Sequence, residues 1–335
     1  MSTGNRLTET PPHIESLAQL QDQAVVSRML VKNAGEGLST HSTPFHALAC
    51  PLDGAPLRRQ GGSLRCTDGH CFDIAAQGYV NLLPVQNKRS LDPGDSKEMV
   101  AARRRFLEAG HYAPIAAAVA RAVFADAAAG QALACLDAGC GEGYYLRQLA
   151  AAAAAEARPL ALAGLDISKW AVQAAARRDL HDARNQAGAN AHPSTAWIVG
   201  SNAGLPVLPG TLDRVLCMFG FPVYAEFARV LRRGGELLQV DAGPEHLREL
   251  REVIYPTLKP ERPAARQAPP GFAHLATDTL RFSVHVDGAA PIADLLAMTP
   301  HLYRATAEGR ARAAALTALT MTVDVRLARY QRLTD

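Results

Sequence analysis

Residues able to do chemistry concentrate in two places. The first is Leu136–Tyr144, L-D-A-G-C-G-E-G-Y, between an apolar strand pattern and a helical one. Glycines at 139, 141 and 143 let the backbone approach a ligand closely and turn sharply. Asp137 ends the strand just before them, and Asp166 ends the next strand pattern 29 residues later. There a carboxylate can accept hydrogen bonds from ribose hydroxyls. No Gly-Lys-Ser/Thr follows, which excludes a phosphate-cradling P-loop. An acid ahead of the loop repels a pyrophosphate and suits an ammonium group. S-adenosylmethionine (SAM) is therefore favoured over a dinucleotide such as NAD, and a glycine-rich turn with no ligand stays as the structural alternative. The second place is a cysteine cluster. Cys50, Cys66 and Cys71 share a 22-residue window and are a metal-site candidate, whereas Cys135, Cys140 and Cys217 sit in apolar stretches as small hydrophobes.

The elements that must position these residues follow from hydropathy. The 335 residues are 48% hydrophobic and 20% charged, enough apolar surface for a core and too much for disorder along the whole length. No stretch approaches about 18 uncharged apolar residues, so no membrane span is expected. The first residues, MSTGNRLTETPPHIESL, lack an apolar core region, which predicts a cytoplasmic protein without disulfides. Residues 1–46 read as a disordered polar extension, with one amphipathic stretch at Ser16–Leu30. Residues 47–83 hold short strands (Gly62–Arg65, Cys71–Ile74, Tyr79–Leu82) around the cysteines; residues 84–130 are a linker and two helices broken at Gly110. From 131 to 335, strands at 133–139, 160–166, 196–200, 213–219 and 236–241 alternate with helices such as 168–178 and 224–232. A further strand (Leu280–Val286), a helix (Pro291–Met298) and a last strand (Leu319–Val325) follow. Alternation of this kind predicts an α/β fold, a Rossmann-like parallel sheet covered on both faces.

At these residues the chain resembles a known family. LDAGCGEGYYLRQL, GLDISKWAVQAAARR and ARVLRRGGELLQV look like a class I SAM-dependent methyltransferase. The stretches GYVNLLPVQ, DPGDS and FLEAGHY within residues 50–112 resemble the RlmA-type 23S rRNA (guanine-N1)-methyltransferases, and the resemblance runs from about Ala47 to the C-terminus. It implies a methyltransferase domain with a small N-terminal zinc-ribbon-like module that binds RNA. It implies SAM contacts at Tyr112, at Cys140 and Gly141, and at His246 of GPEHL; from the residues alone, Tyr112 reads as a helix-end core aromatic and His246 as a solvated first-turn histidine. With Asp137, Gly139, Gly143 and Asp166 these complete the expected cofactor site. The family's zinc pattern is C-x2-C followed by C-x3-H. Here Cys50, Asp53, Cys66 and His70 occupy those positions, so Asp53 stands where a second cysteine is expected. Zinc accepts carboxylate oxygen, and Cys71, next to His70 on an extended strand, points to the opposite face.

The resemblance implies methylation of guanine N1 in a hairpin of 23S rRNA. N1 lies on the Watson–Crick edge, so the target base must be unpaired or flipped out. The loop after the fourth strand of the domain, Cys217-Met218-Phe219-Gly220-Phe221-Pro222, offers aromatic rings but no base. Some family members carry an arginine and a tyrosine where Cys217 and Phe219 stand. No catalytic residue is legible. Lys88-Arg89 and Arg103-Arg104-Arg105 are expected to neutralise RNA phosphates, whereas Arg229, Arg232 and Arg233 read as a solvated helix end. The competing readings are a methyltransferase of the same fold acting on a small molecule, and a weakened enzyme that binds RNA or the ribosome. A homodimer is expected from the resemblance.

Overall fold

The computed structural model describes residues 45–84, 86, 92–128, 130–187, 194–258 and 268–334. Almost all of the expected N-terminal extension, and Lys88-Arg89, lie outside the described residues. Three short strands, β1 (Arg58–Gln60), β2 (Ser63–Arg65) and β3 (Cys71–Asp73), form a small antiparallel sheet in the order β1-β2-β3. The next strand, β4 (Tyr79–Asn81), leaves that sheet. It becomes the edge of a larger one.

Two helices follow, α1 (Lys97–Glu108) and α2 (Ala113–Phe124), separated at Gly110 as expected. The side chain of Ser96 caps the first by accepting from the Met99 N–H at 3.3 Å. The alternating region then gives β5 (Leu133–Ala138), α3 (Tyr144–Ala155), β6 (Leu160–Asp166), α4 (Lys169–Ala187), β7 (Thr195–Val199), β8 (Leu212–Met218), α5 (Tyr224–Val230) and β9 (Leu231–Ala242). The chain finishes through α6 (Arg248–Ile254), β10 (Phe272–Asp287), three short helices α7 (Ala289–Ala297), α8 (His301–Arg304) and α9 (Ala307–Ala314), and β11 (Ala318–Arg332).

The large sheet has eight strands in the order β10-β11-β9-β8-β5-β6-β7-β4. Strands β4 to β9 run parallel. Every residue of β8 is buried, as a strand covered on both faces requires. At one edge the parallel run ends: β11 is antiparallel to both β9 and β10. Direction is set by how the chain returns, and the α7–α9 excursion brings it back beside β9 from the opposite end. The chain leaves β5 outward through β6 and β7, then crosses back to β8 and β9. Beyond β5 the strand order therefore reverses, which opens a crevice at the carboxyl ends of β5 and β8.

The N-terminal module is built into this frame. β4 pairs with β7 in the register Tyr79↔Trp197, Val80↔Ile198 and Asn81↔Val199. Leu48, Cys50, Leu57, Leu64 and Cys66 share one core with Leu136, Ile198 and Phe227. A module this small gains its stability from that shared core. Of the three arginines expected at a solvated helix end, Arg232 and Arg233 are exposed and Arg229 is partly buried. Arg229 bonds to Glu226 and to the Leu205 and Val207 carbonyls, and the exposed Arg232 bonds to Asp213 at 2.5 Å. Among the described residues no helix is long and apolar enough to cross a membrane.

Candidate active site and metal centre

The glycine loop leaves β5 at the crevice and is tied to the end of β6. Gly139 and Cys140 both donate to the Leu165 carbonyl, at 2.8 and 2.9 Å. Gly141 donates to Asp166 Oδ2 at 2.9 Å, and Ser168 donates to Asp166 Oδ1 at 2.8 Å. Asp166 thus fastens two loops, while each of its oxygens keeps a lone pair for a further donor. Gly143, at φ +82°, starts α3, and a Cβ there would lie 2.5 Å from the Trp197 ring. Only glycine allows both that backbone and that approach.

Asp137 is completely buried and neither of its carboxylate oxygens has a partner. Burial, reinforced by the nearby charge of Asp166, pushes its pKa up to about 8. A buried carboxyl without a donor is costly once ionised. The charge becomes favourable only when a cation lies against it, and SAM carries an ammonium and a sulfonium. The donor set around the glycine loop therefore fits SAM. Cys140 is buried beside it, with its thiol pushed far up by burial.

Tyr112 and His246 meet although 134 residues apart. Tyr112 caps α2 and His246 follows β9; both are buried, with Tyr112 Oη 3.2 Å from His246 Nε2. The solvated reading of His246 is thus corrected. Burial lowers the His246 pKa to about 4, so the ring is neutral. Its Nδ1 accepts the Asp324 backbone N–H at 3.3 Å. Nε2 must then carry the proton and donate to Tyr112 Oη, which leaves the tyrosine proton available to a ligand.

Beyond β8 the chain turns through Phe219 at φ +53°, a strained conformation for an aromatic residue. The Phe219 ring lies 6.2 Å from that of Tyr112 and 5.8 Å from that of His246. Phe221 is 89% exposed, whereas Phe219 is 38% exposed and packs on those two buried rings. Asn202, which the sequence reading missed, links this loop to the glycine loop. Its amide donates to the Ala138 and Phe221 carbonyls at 3.3 and 3.4 Å, and its Oδ1 is buried without a partner. Its position just after β7, three residues past the Val199 that pairs with Asp166, is the available signal.

The arginine run divides. Arg103 pairs with Asp95 and donates to the Met298 carbonyl at 3.2 Å; Arg105 holds Asp294 through two bonds, at 2.6 and 2.8 Å. Arg104 is exposed. Of the expected RNA-facing triplet, Arg104 and Arg105 are exposed and only Arg103 is drawn in.

In the N-terminal module, Cys50, Asp53, Cys66 and His70 bring one ligand atom each to within 4.8 Å of one another. His70 Nδ1 lies 3.5 Å from Cys50 Sγ, 3.4 Å from Cys66 Sγ and 2.7 Å from Asp53 Oδ2; Cys66 Sγ lies 3.2 Å from that oxygen. Zinc bonds of about 2.0–2.3 Å require separations of roughly 3.3–3.8 Å across a tetrahedron, so the cluster fits zinc with a small opening of the Asp53–His70 pair. Asp53 is turned for this role: Oδ1 accepts the Ala55 N–H at 2.8 Å, which holds the carboxyl well below the usual range and leaves Oδ2 for the cluster. Cys71 is exposed and outside the cluster.

The family model for the RlmA N-terminal region matches residues 48–91, and a methyltransferase-domain model matches residues 135–235. A relative from Micromonospora griseorubida, assigned as a 23S rRNA (guanine-N1)-methyltransferase, is 36% identical over 307 residues, covering 85% of this chain and 97% of its own length. The 23S rRNA (guanine(748)-N1)-methyltransferase of Streptomyces fradiae is 35% identical over 257 residues, covering 76% of this chain and 84% of its own. A Bacillus subtilis relative with the same general assignment is 31% identical, over 84% of this chain and 95% of its own. With a SAM-dependent methyltransferase domain behind a zinc-ribbon module, and this identity over most of its length, the chain belongs to the 23S rRNA (guanine-N1)-methyltransferase family.

Proposed function

We propose that the chain methylates N1 of a guanine in a hairpin of 23S rRNA, with SAM held by Tyr112, Asp137, the loop of Gly139, Cys140, Gly141 and Gly143, Asp166 and His246. One observation carries this reading. A buried carboxyl without an internal partner, Asp137, lies on the strand next to the one that leads into a partly exposed aromatic loop, Phe219 to Phe221. Adjacent strand ends thus offer a place for a cation and a place for a flat base. Bound SAM supplies an electrophilic methyl on a sulfonium sulfur. The residues of the chain do the positioning, from which most of the rate of an in-line displacement comes. Asp137 balances positive charge, Asp166 accepts from ribose hydroxyls, and Tyr112, oriented by His246, donates one hydrogen bond. Phe219 and Phe221 stack an unpaired base so that its Watson–Crick edge is presented.

Cys50, Asp53, Cys66 and His70 are proposed as the zinc ligands, and residues 47–83 as the RNA-gripping module, with Arg104 contributing to the phosphate contacts. An rRNA substrate puts the enzyme in the cytoplasm. The expected homodimer belongs to this reading and is measured by sedimentation. The test of the reading is primer extension on large-subunit rRNA after incubation with the protein and SAM. A methyl on guanine N1 blocks pairing and stops reverse transcriptase one nucleotide early. A SAM-dependent stop at a hairpin guanine, absent with Asp166→Ala, is expected. If SAM binds and no stop forms, N1 methylation of RNA is wrong, and turnover on small nucleophiles then separates the small-molecule reading from the weakened-enzyme one.

A further inference from the structure

The groups around the glycine loop are mostly acidic: Asp137, Glu142, Asp166 and, across from them, Asp95. They suit the two cationic centres of SAM, but they repel its carboxylate. Two arginines border the loop. Arg147 is committed to Glu142, donating to its side chain and to its carbonyl at 2.6 Å each. Arg103 is differently placed. A Cβ on Gly141 would lie 3.4 Å from Arg103 Nη1, so the guanidinium rests directly on the loop in the space that the missing side chain leaves. Its positive charge favours the ionised forms of Asp166 and Tyr145.

Arg103 is also held rigidly. The Asp95 carboxylate takes Nη1 and the Met298 carbonyl takes Nη2. Asp95 is fixed in turn, since its carbonyl accepts the Ser168 hydroxyl at 2.7 Å, beside Asp166. Two of five guanidinium N–H donors are used, and the other three are available. The side chain is about one-quarter exposed (24%). A pinned, inward arginine with spare donors is arranged for one small anion at the loop and not for the shifting contacts of a phosphate backbone.

We propose that Arg103 is the anchor for the carboxylate of SAM, fixing the amino-acid end of the ligand while Asp137 meets its positive charge. This rests on the donor half of the function proposed above. The test is calorimetric titration of the full chain and of Arg103→Gln with two ligands, SAM and decarboxylated SAM, which keeps the sulfonium and the amine and lacks only the carboxylate. The wild type is expected to prefer SAM by roughly tenfold to a hundredfold, the range of a charge-assisted hydrogen-bonded contact. In Arg103→Gln that preference should vanish, with affinity for decarboxylated SAM within about twofold of wild type; Arg103→Lys should keep part of it. Retention of that binding also reports an intact fold. The assignment is overturned if Arg103→Gln still prefers SAM as the wild type does, or if both ligands weaken equally, which is the mark of a group that only shapes the loop. A wild type that binds neither ligand overturns the SAM reading itself, and this assignment with it.

Discussion

Replacing Asp137 by asparagine should do two opposite things, and both follow from its burial. The folded-state pKa is raised from an ordinary 3.8 to about 8. A raised pKa means that folding favours the protonated form, so the associated stability is present below about pH 4 and lost as the pH rises towards 8. At roughly 1.4 kcal/mol per pH unit, about 4 kcal/mol is lost by pH 7. Asp137→Asn removes that dependence while keeping the shape. The ligand-free variant should melt several degrees higher than wild type at pH 8 and no higher at pH 4. Its SAM affinity should fall by roughly tenfold or more, because the counter-charge is gone. The same reasoning fixes a proton count. At pH 6.5 the free carboxyl is protonated, and a cation against it forces ionisation. Titration calorimetry in two buffers of different ionisation enthalpy should therefore show release of about one proton per SAM bound, and none for Asp137→Asn. Heats independent of the buffer would refute the reasoning, since Asp137 would then remain neutral beside the ligand.

Three other outcomes follow from the geometry. Tyr112→Phe should weaken SAM binding by roughly tenfold with a small change in melting temperature, and His246→Phe should weaken it comparably if the histidine acts by orienting the tyrosine; a His246 variant of wild-type affinity ends that account. Phe221→Ala should leave melting temperature and SAM affinity unchanged, because the ring is 89% exposed, and lower kcat/KM on rRNA by about tenfold through lost stacking; an equal loss in SAM affinity contradicts the base-platform role. Asp53→Cys should bind zinc at least tenfold more tightly in chelator competition, as a thiolate replaces a carboxylate, while Cys66→Ala should lose the metal; identical affinities for wild type and Asp53→Cys would remove Asp53 from the ligand set.

How legible the molecule was depended on the range of the forces involved. The glycine loop and its two acids could be read in order along the chain because strand, turn and helix there are local, and the apolar runs of β5, β6 and β8 carry their own burial pattern. The roles of Tyr112 and His246 could not be read from their own surroundings: the tyrosine proton is oriented by a histidine 134 residues away, itself fixed by the backbone of Asp324. The arginine run misled for a related reason. The Met298 carbonyl, from the cap of α7 about 190 residues on, draws in Arg103, whereas Arg105 pairs with Asp294 and stays on the solvated face beside Arg104. The contact of the Phe219 ring with Tyr112 and His246 likewise joins residues far apart in sequence.

Residue order alone determined the α/β frame, the place of the ligand loop and the presence of a cysteine-rich module, because periodicity, glycine chemistry and ligand spacing act over a few residues. Only tertiary packing decided that β11 returns antiparallel, that β4 carries the module into the large sheet, and that an arginine lies over the glycine loop where an RNA contact was expected. Strand direction, shared cores and ion-pair choice depend on groups that meet only after the chain has closed on itself.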